Sequence, residues 1–157
     1  MPNLDKFGRA LRLRWLWQEW VEDSKPWLGS ELPCSDVDRL LFNASIKISL
    51  GDGAKTRFWH HNWLEVEAPR YLAPNLFRLV SRKNSSVQHE LWNNNWMRSL
   101  RGKITSAVHI EEFASLWIRI QDAHLQQGLR DSITWRWTPD GVYSTRSAYR
   151  IQFQGSF

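Results

Sequence analysis

Between Phe7 and Trp20, apolar residues recur at Ala10, Leu13, Trp17 and Trp20, one face of a 3.6-residue period. Leu11, Trp15 and Leu16 widen that face, while Arg9 and Arg12 stay opposite. The pattern predicts a helix with Asp5 as N-cap, so broadly apolar that it needs partners on more than one side. Asp23-Ser24-Lys25-Pro26 ends it, and Trp27 to Pro33 reads as loop. Ser35-Asp36-Val37-Asp38 resembles a capping box and opens a short helix with Val37, Leu40, Leu41 and Ala44 as its inner face. The period then changes. Ile46, Ile48 and Leu50 alternate with Lys47 and Ser49, Gly51-Asp52-Gly53 supplies a turn, and Thr56 to His60 returns, with Phe58 and Trp59 on opposite faces. A hairpin over 46–60 is expected.

Pro69 and Pro74 bracket a stretch that reads as irregular, and Ser81 to Ser86 as polar linker. Ser85 or Ser86 caps a short helix carrying Val87, Leu91 and Trp92, which Asn93-Asn94-Asn95 ends or tightens. Ser106 opens the clearest helix, with Ile110, Phe113, Trp117 and Ile120 as its stripe, Leu116 beside them, and Glu111, Arg119 and Asp122 on the wet side. Ile133, Trp135 and Trp137 then alternate with Thr134 and Arg136 into the turn Thr138-Pro139-Asp140-Gly141, and Val142-Tyr143 returns. A helix from Ser144 or Thr145 through Ala148, Tyr149 and Ile151 comes next, with an apolar face that needs something to lie on. The expected fold class is α+β: about four helices and two antiparallel β-hairpins, not a self-sufficient domain.

Charge changes the picture in one place. The chain of 157 residues carries a net +5, yet residues 70–103 alone hold +6: Arg70, Arg78, Arg82, Lys83, Arg98, Arg101 and Lys103 against Glu90. Such a segment attracts polyanions by counterion release, and Trp92 and Trp96, interleaved with its arginines, are of a type that stacks on unpaired bases. These nine residues other than Glu90 are the candidate nucleic-acid contacts. A solvated basic face and core tryptophans are the competing readings. Eleven tryptophans in all dominate whatever core or binding face exists. No apolar run approaches the roughly 20 residues of a membrane helix, and the N-terminal residues lack the apolar core of a secretory signal. An intracellular location, nucleus or cytoplasm, is therefore expected, without membrane contact.

Candidate chemistry is sparse. Cys34 is the single cysteine, so no internal disulfide or multi-cysteine zinc site can form within the chain. His60-His61 are neighbours in a predicted strand and point to opposite faces, a poor arrangement for one metal. His89, His109 and His124 stand singly. Asp36 and Asp38 lie where a helix dipole accounts for carboxylates, and Glu111 and Glu112 diverge by about 100° on a helix. The glycines lack phosphate-loop spacing, and no G-x-S-x-G elbow occurs. No catalytic residue, metal ligand or cofactor is assigned.

Several segments in order resemble a known family. Asn3-Leu4-Asp5-Lys6-Phe7-Gly8-Arg9-Ala10-Leu11-Arg12-Leu13-Arg14-Trp15-Leu16-Trp17 is similar to the segment after the polymerase core in plant LINE-type (non-LTR) retrotransposon polyproteins. Gly51-Asp52-Gly53 with Phe58-Trp59-His60 and Trp63-Leu64, Ala73-Pro74-Asn75-Leu76-Phe77, Trp96 to Leu100, and Trp135-Arg136-Trp137-Thr138-Pro139-Asp140-Gly141-Val142-Tyr143-Ser144 with Ser147-Ala148-Tyr149 resemble later parts of the same region. The resemblance implies a connector between the polymerase thumb and a zinc-binding region. Residues 1–132 would form the post-polymerase connector, and 133–157 the start of the zinc-binding region, cut before its ligands. The family's aromatic-x-Asp-Asp polymerase motif is absent from these residues. The resemblance thus implies a non-catalytic fragment of a reverse transcriptase polyprotein, marginally stable alone. Its partners would be RNA or DNA and the rest of the polyprotein. An RNA- or single-stranded-DNA-binding accessory module acting through residues 70–103 is the alternative.

Overall fold

A computed structural model describes residues 3–22 and 33–154. The expected break at Asp23 to Pro26, and all of the expected Trp27–Pro33 loop but its last residue, lie outside them. In chain order the elements are α1 (Leu4–Val21), α2 (Asp36–Ser45), β1 (Ile46–Ser49), α3 (Pro69–Leu72), α4 (Pro74–Leu79) and α5 (Val87–Leu91). A 3₁₀ turn (Trp92–Asn94), α6 (Asn95–Ser99), α7 (Ala107–Ile120), β2 (Ser132–Trp135) and α8 (Thr145–Ile151) complete them. The described chain is mainly helical, with a single two-stranded sheet of β1 and β2. The expectation of four helices and two hairpins is therefore incorrect.

The first expected hairpin is replaced by a loop organised on a carboxylate. Asp131 accepts hydrogen bonds from the backbone N–H groups of Gly51 (2.7 Å), Gly53 (2.9 Å), Lys55 (3.1 Å) and Thr56 (3.0 Å), and from the Thr56 hydroxyl (2.9 Å). These donors are thus withdrawn from any strand partner. The backbone instead pairs farther along: Val87 N–H donates to Thr56 O, Phe58 N–H to Ser85 O, and Asp52 N–H to Leu129 O. Gly51 permits that approach, since a Cβ there would sit 2.2 Å from Leu129 O. Phe58 and Trp59, expected on opposite faces, are both buried, with rings in edge contact at 5.0 Å. In the second expected hairpin, Trp135 N–H does donate to Gly141 O, but Val142 N–H turns back to Asp140 Oδ1, and no return strand forms.

The chain divides into two compact units, residues 1–47 with 132–157 and residues 48–131. In the first, Asn3 rather than Asp5 is the N-cap of α1, its side chain accepting the Lys6 N–H. Ala10, Leu13, Leu16 and Trp20 face inward, and α8 covers them with Ala148 and Ile151. The face of α8 expected to lack support thus lies on α1. Leu4, Phe7, Leu11 and Trp15 remain exposed. Ser35 and Asp38 form the expected capping box of α2, but the inner face is rotated: Asp38, Leu41, Phe42 and Ser45 are buried while Val37, Leu40 and Ala44 are exposed. The cause is ionic. Arg9 Nε and Arg12 Nε reach Asp38 at 3.3 and 2.7 Å and draw it toward α1. Trp135 then packs among Trp17, Phe42 and Tyr143, its indole N–H donating to Ser147 Oγ.

In the second unit, the prolines that bracket a predicted irregular stretch are each the first residue of a helix, where a missing N–H costs nothing. α4 has no side-chain N-cap of its own. Glu112 of α7 supplies one, accepting from the N–H groups of Asn75 and Leu76 and from the Asn75 side chain. Ser86 and Ser106 cap α5 and α7 as expected. The core is aromatic: Phe58, Trp59, Trp63 and Trp96 with Leu76, Val87, Leu100, Leu116 and Ile120. On α7 the inner face is Leu116 and Ile120 with Phe113 half-buried, whereas Ile110 and Trp117 from the predicted stripe are exposed.

Candidate nucleic-acid interface

The basic segment divides into cations that hold the fold and cations that do not. Lys83 Nζ donates to Val80 O at 2.6 Å, and Lys103 Nζ to Leu79 O at 3.2 Å, so both ammonium groups lie on the carbonyls that end α4. Lys83 also stands over the Phe77 ring at 5.0 Å. Arg70 meets His60 Nδ1 at 3.0 Å and lies over the rings of Tyr71 and Phe77. Arg82 approaches His89 at 3.4 Å. Arg78, Arg98 and Arg101 are exposed and carry no ion pair or side-chain hydrogen bond among the described residues. Because Lys103 also reaches Ser81 (3.5 Å), residues 98–103 are tied close to residues 79–81.

Trp92 and Trp96 part company. Trp92 is 75 % exposed and Trp96 only 1 %. The turn that sends Trp96 inward is in the run Asn93-Asn94-Asn95: Asn93 and Asn94 both adopt left-handed backbone conformations, with φ of 50° and 51°. That conformation costs a non-glycine residue about 1 kcal/mol, and asparagine tolerates it better than most. Trp96 therefore cannot stack on a base. It forms the middle of an aromatic column instead, stacked on Phe58 at 5.9 Å and on Phe113 at 5.2 Å.

The column ends at a surface groove of about 510 Å³ lined by Asn93, Asn94, Met97, Arg98, Leu100, Arg101, Gly102, Ile104 and Phe113. Arg98 and Arg101, three residues apart, both line it, no acidic residue does, and Met97, Leu100, Ile104 and Phe113 supply its apolar lining. Neither Asn93 nor Asn94 has a side-chain hydrogen bond among the described residues. Of the nine predicted contacts the groove gathers two, Arg98 and Arg101. Asn93, Asn94, Ile104 and Phe113 lie outside the predicted set. The asparagine run is the signal that points to them, since consecutive asparagines tolerate positive φ.

The buried carboxylates Asp131 and Asp38 serve the scaffold. At Asp131, burial raises the carboxyl but hydrogen bonds from Gly51, Gly53 and Thr56 outweigh it and hold the carboxyl below its usual range. Asp38 behaves alike, with burial opposed by Arg12 and Ser35. Burial, with Arg57 and His60 adding, lowers His61 to about 3, and its neutral Nδ1 accepts the Arg57 N–H at 2.8 Å. His60 engages Arg70, so the two imidazoles have separate partners. Burial pushes the Cys34 thiol up, and Sγ lies 3.6 Å from Arg12 O. A thiol so placed stays protonated at neutral pH, a poor nucleophile. Among the described residues no group of three or more His, Cys, Asp or Glu side chains is placed to hold a metal. No family model, curated protein or solved structure matches the chain.

Proposed function

We propose that this chain is a non-catalytic connector of a LINE-type reverse transcriptase polyprotein, a piece that spaces and supports parts bearing the chemistry. The observation that carries this reading is the use made of three carboxylates. Asp38 joins α1 to α2, Glu112 caps α4, and Asp131 gathers the Gly51–Thr56 loop. A carboxylate saturated by fixed backbone donors is a poor general base, because proton uptake must break those bonds. The Gly51-Asp52-Gly53 segment, one of those that carries the resemblance, is the one Asp131 organises. The test is to translate the coding sequence around this segment. The expected result is an in-frame aromatic-x-Asp-Asp motif upstream and a cysteine–histidine cluster downstream. An open frame on both sides that encodes neither contradicts the proposal.

A second reading, nucleic-acid binding by the same connector, is favoured by the three arginines left unengaged while the lysines beside them cap α4. Single-stranded RNA is the probe. Binding that weakens steeply as salt rises supports this reading, and its absence at low salt removes it.

A further inference from the structure

We propose that the groove between Asn93–Asn94 and Phe113 is a seat for one unpaired nucleotide, its base continuing the Phe58–Trp96–Phe113 column and its flanking phosphates lying on Arg98 and Arg101. The inference rests on the nucleic-acid-binding reading and deepens it by naming the strand state and the contacts.

Four observations converge. The ring planes of the column are inclined by 29° and 30° at centroid separations of 5.9 and 5.2 Å, which is stacking geometry, and its outer ring, Phe113, lines the groove. A flat heteroaromatic ring is the ligand shape that extends such a column. The lining includes two guanidiniums and no carboxylate, which fits a phosphodiester on each side of a seated base. The lining also includes two side-chain amides, of Asn93 and Asn94, that hydrogen-bond to nothing in the described chain, and each offers a donor and an acceptor to a base edge. The groove's volume of about 510 Å³ lies in the range of small-ligand sites. A paired base is held within its own stack and cannot lie on Phe113, so the seat selects single strands.

The test is fluorescence anisotropy with the whole chain and three labelled probes of equal length: single-stranded RNA, the same strand with its central bases removed, and the corresponding duplex. The intact single strand is expected to bind roughly tenfold more tightly than the base-free strand and the duplex. Arg98→Gln with Arg101→Gln is expected to weaken single-strand binding by about tenfold or more. Asn93→Gly with Asn94→Gly, which suits the left-handed backbone and so preserves the fold, is expected to weaken it by about fivefold while the melting temperature holds or rises. Equal binding of all three probes overturns the base seat and leaves nucleic-acid binding standing. Single-strand affinity unchanged by both double substitutions overturns the groove as the site. No binding of any probe at low salt removes the nucleic-acid reading itself, and the seat with it.

Discussion

Asp131 accepts five hydrogen bonds from a loop that begins eighty positions earlier in the chain. Asp131→Ala leaves four backbone donors without their acceptor. It is expected to cost about 3 kcal/mol or more, read as a fall in the midpoint of urea unfolding. His61 gives a second expectation, with a definite sign. Its folded value near 3 lies below the unfolded value near 6.5, so the unfolded chain binds more protons between them. Stability is then complete above pH 6.5 and declines as pH falls toward 3. Between pH 7 and 5 the loss is about 1–2 kcal/mol, and His61→Gln should flatten that slope. Neither role is legible in the sequence. The Gly51-Asp52-Gly53 turn shows plainly, but its partner is far off, and the alternation from Ile46 to Leu50 conceals where the backbone donors go. At Asp38 the capping box is readable, whereas its two arginine partners on α1 are not, and they set the rotation of α2.

Helix starts are legible wherever a serine stands before the apolar run, as at Ser35, Ser86, Ser106 and Ser144. Those hydroxyls act within three residues, so local sequence contains the whole interaction. Pro69 and Pro74 carry the same kind of signal, but a proline reads equally well as a breaker, and only the structure separates the two. The α4 cap is different, because Glu112 comes from another helix. Glu112→Ala is expected to destabilise by about 1–2 kcal/mol and to speed amide exchange in residues 75–79 of α4. The basic segment sorts the same way. Lys103→Met removes a charge from the carbonyl end of α4 and should lower the melting temperature. It should change nucleic-acid affinity far less than Arg98→Gln or Arg101→Gln, a contrast that net charge alone does not produce. Strand periodicity misleads because four alternating residues are too few to name their partner: the pattern pairs β1 with Thr56–His60, and the structure pairs it with β2.

At the scale of the molecule, each unit is built on its own aromatic cluster, Trp135 with Trp17, Phe42 and Tyr143 in one, and Phe58 with Trp59, Trp63 and Trp96 in the other. The abundance of tryptophan in the sequence announces an aromatic core without saying which rings enter it. Trp96 goes inward and Trp92 does not, a choice made by two left-handed asparagines. The candidate site is legible as a charge excess over residues 70–103. It is not legible as a groove, because Phe113 and Ile104 join it from beyond that segment. The central proposal is that this connector holds nucleic acid by its exposed arginines while Asp38, Glu112 and Asp131 hold the fold. The most direct measurement is the affinity of the chain for single-stranded RNA from about 20 to about 300 mM salt, roughly a decade of screening. Two to three phosphate contacts predict a log–log slope of about −1.5 to −2, reduced by roughly one in the Arg98→Gln, Arg101→Gln variant. A slope near zero, or one that the double substitution leaves unchanged, contradicts the claim.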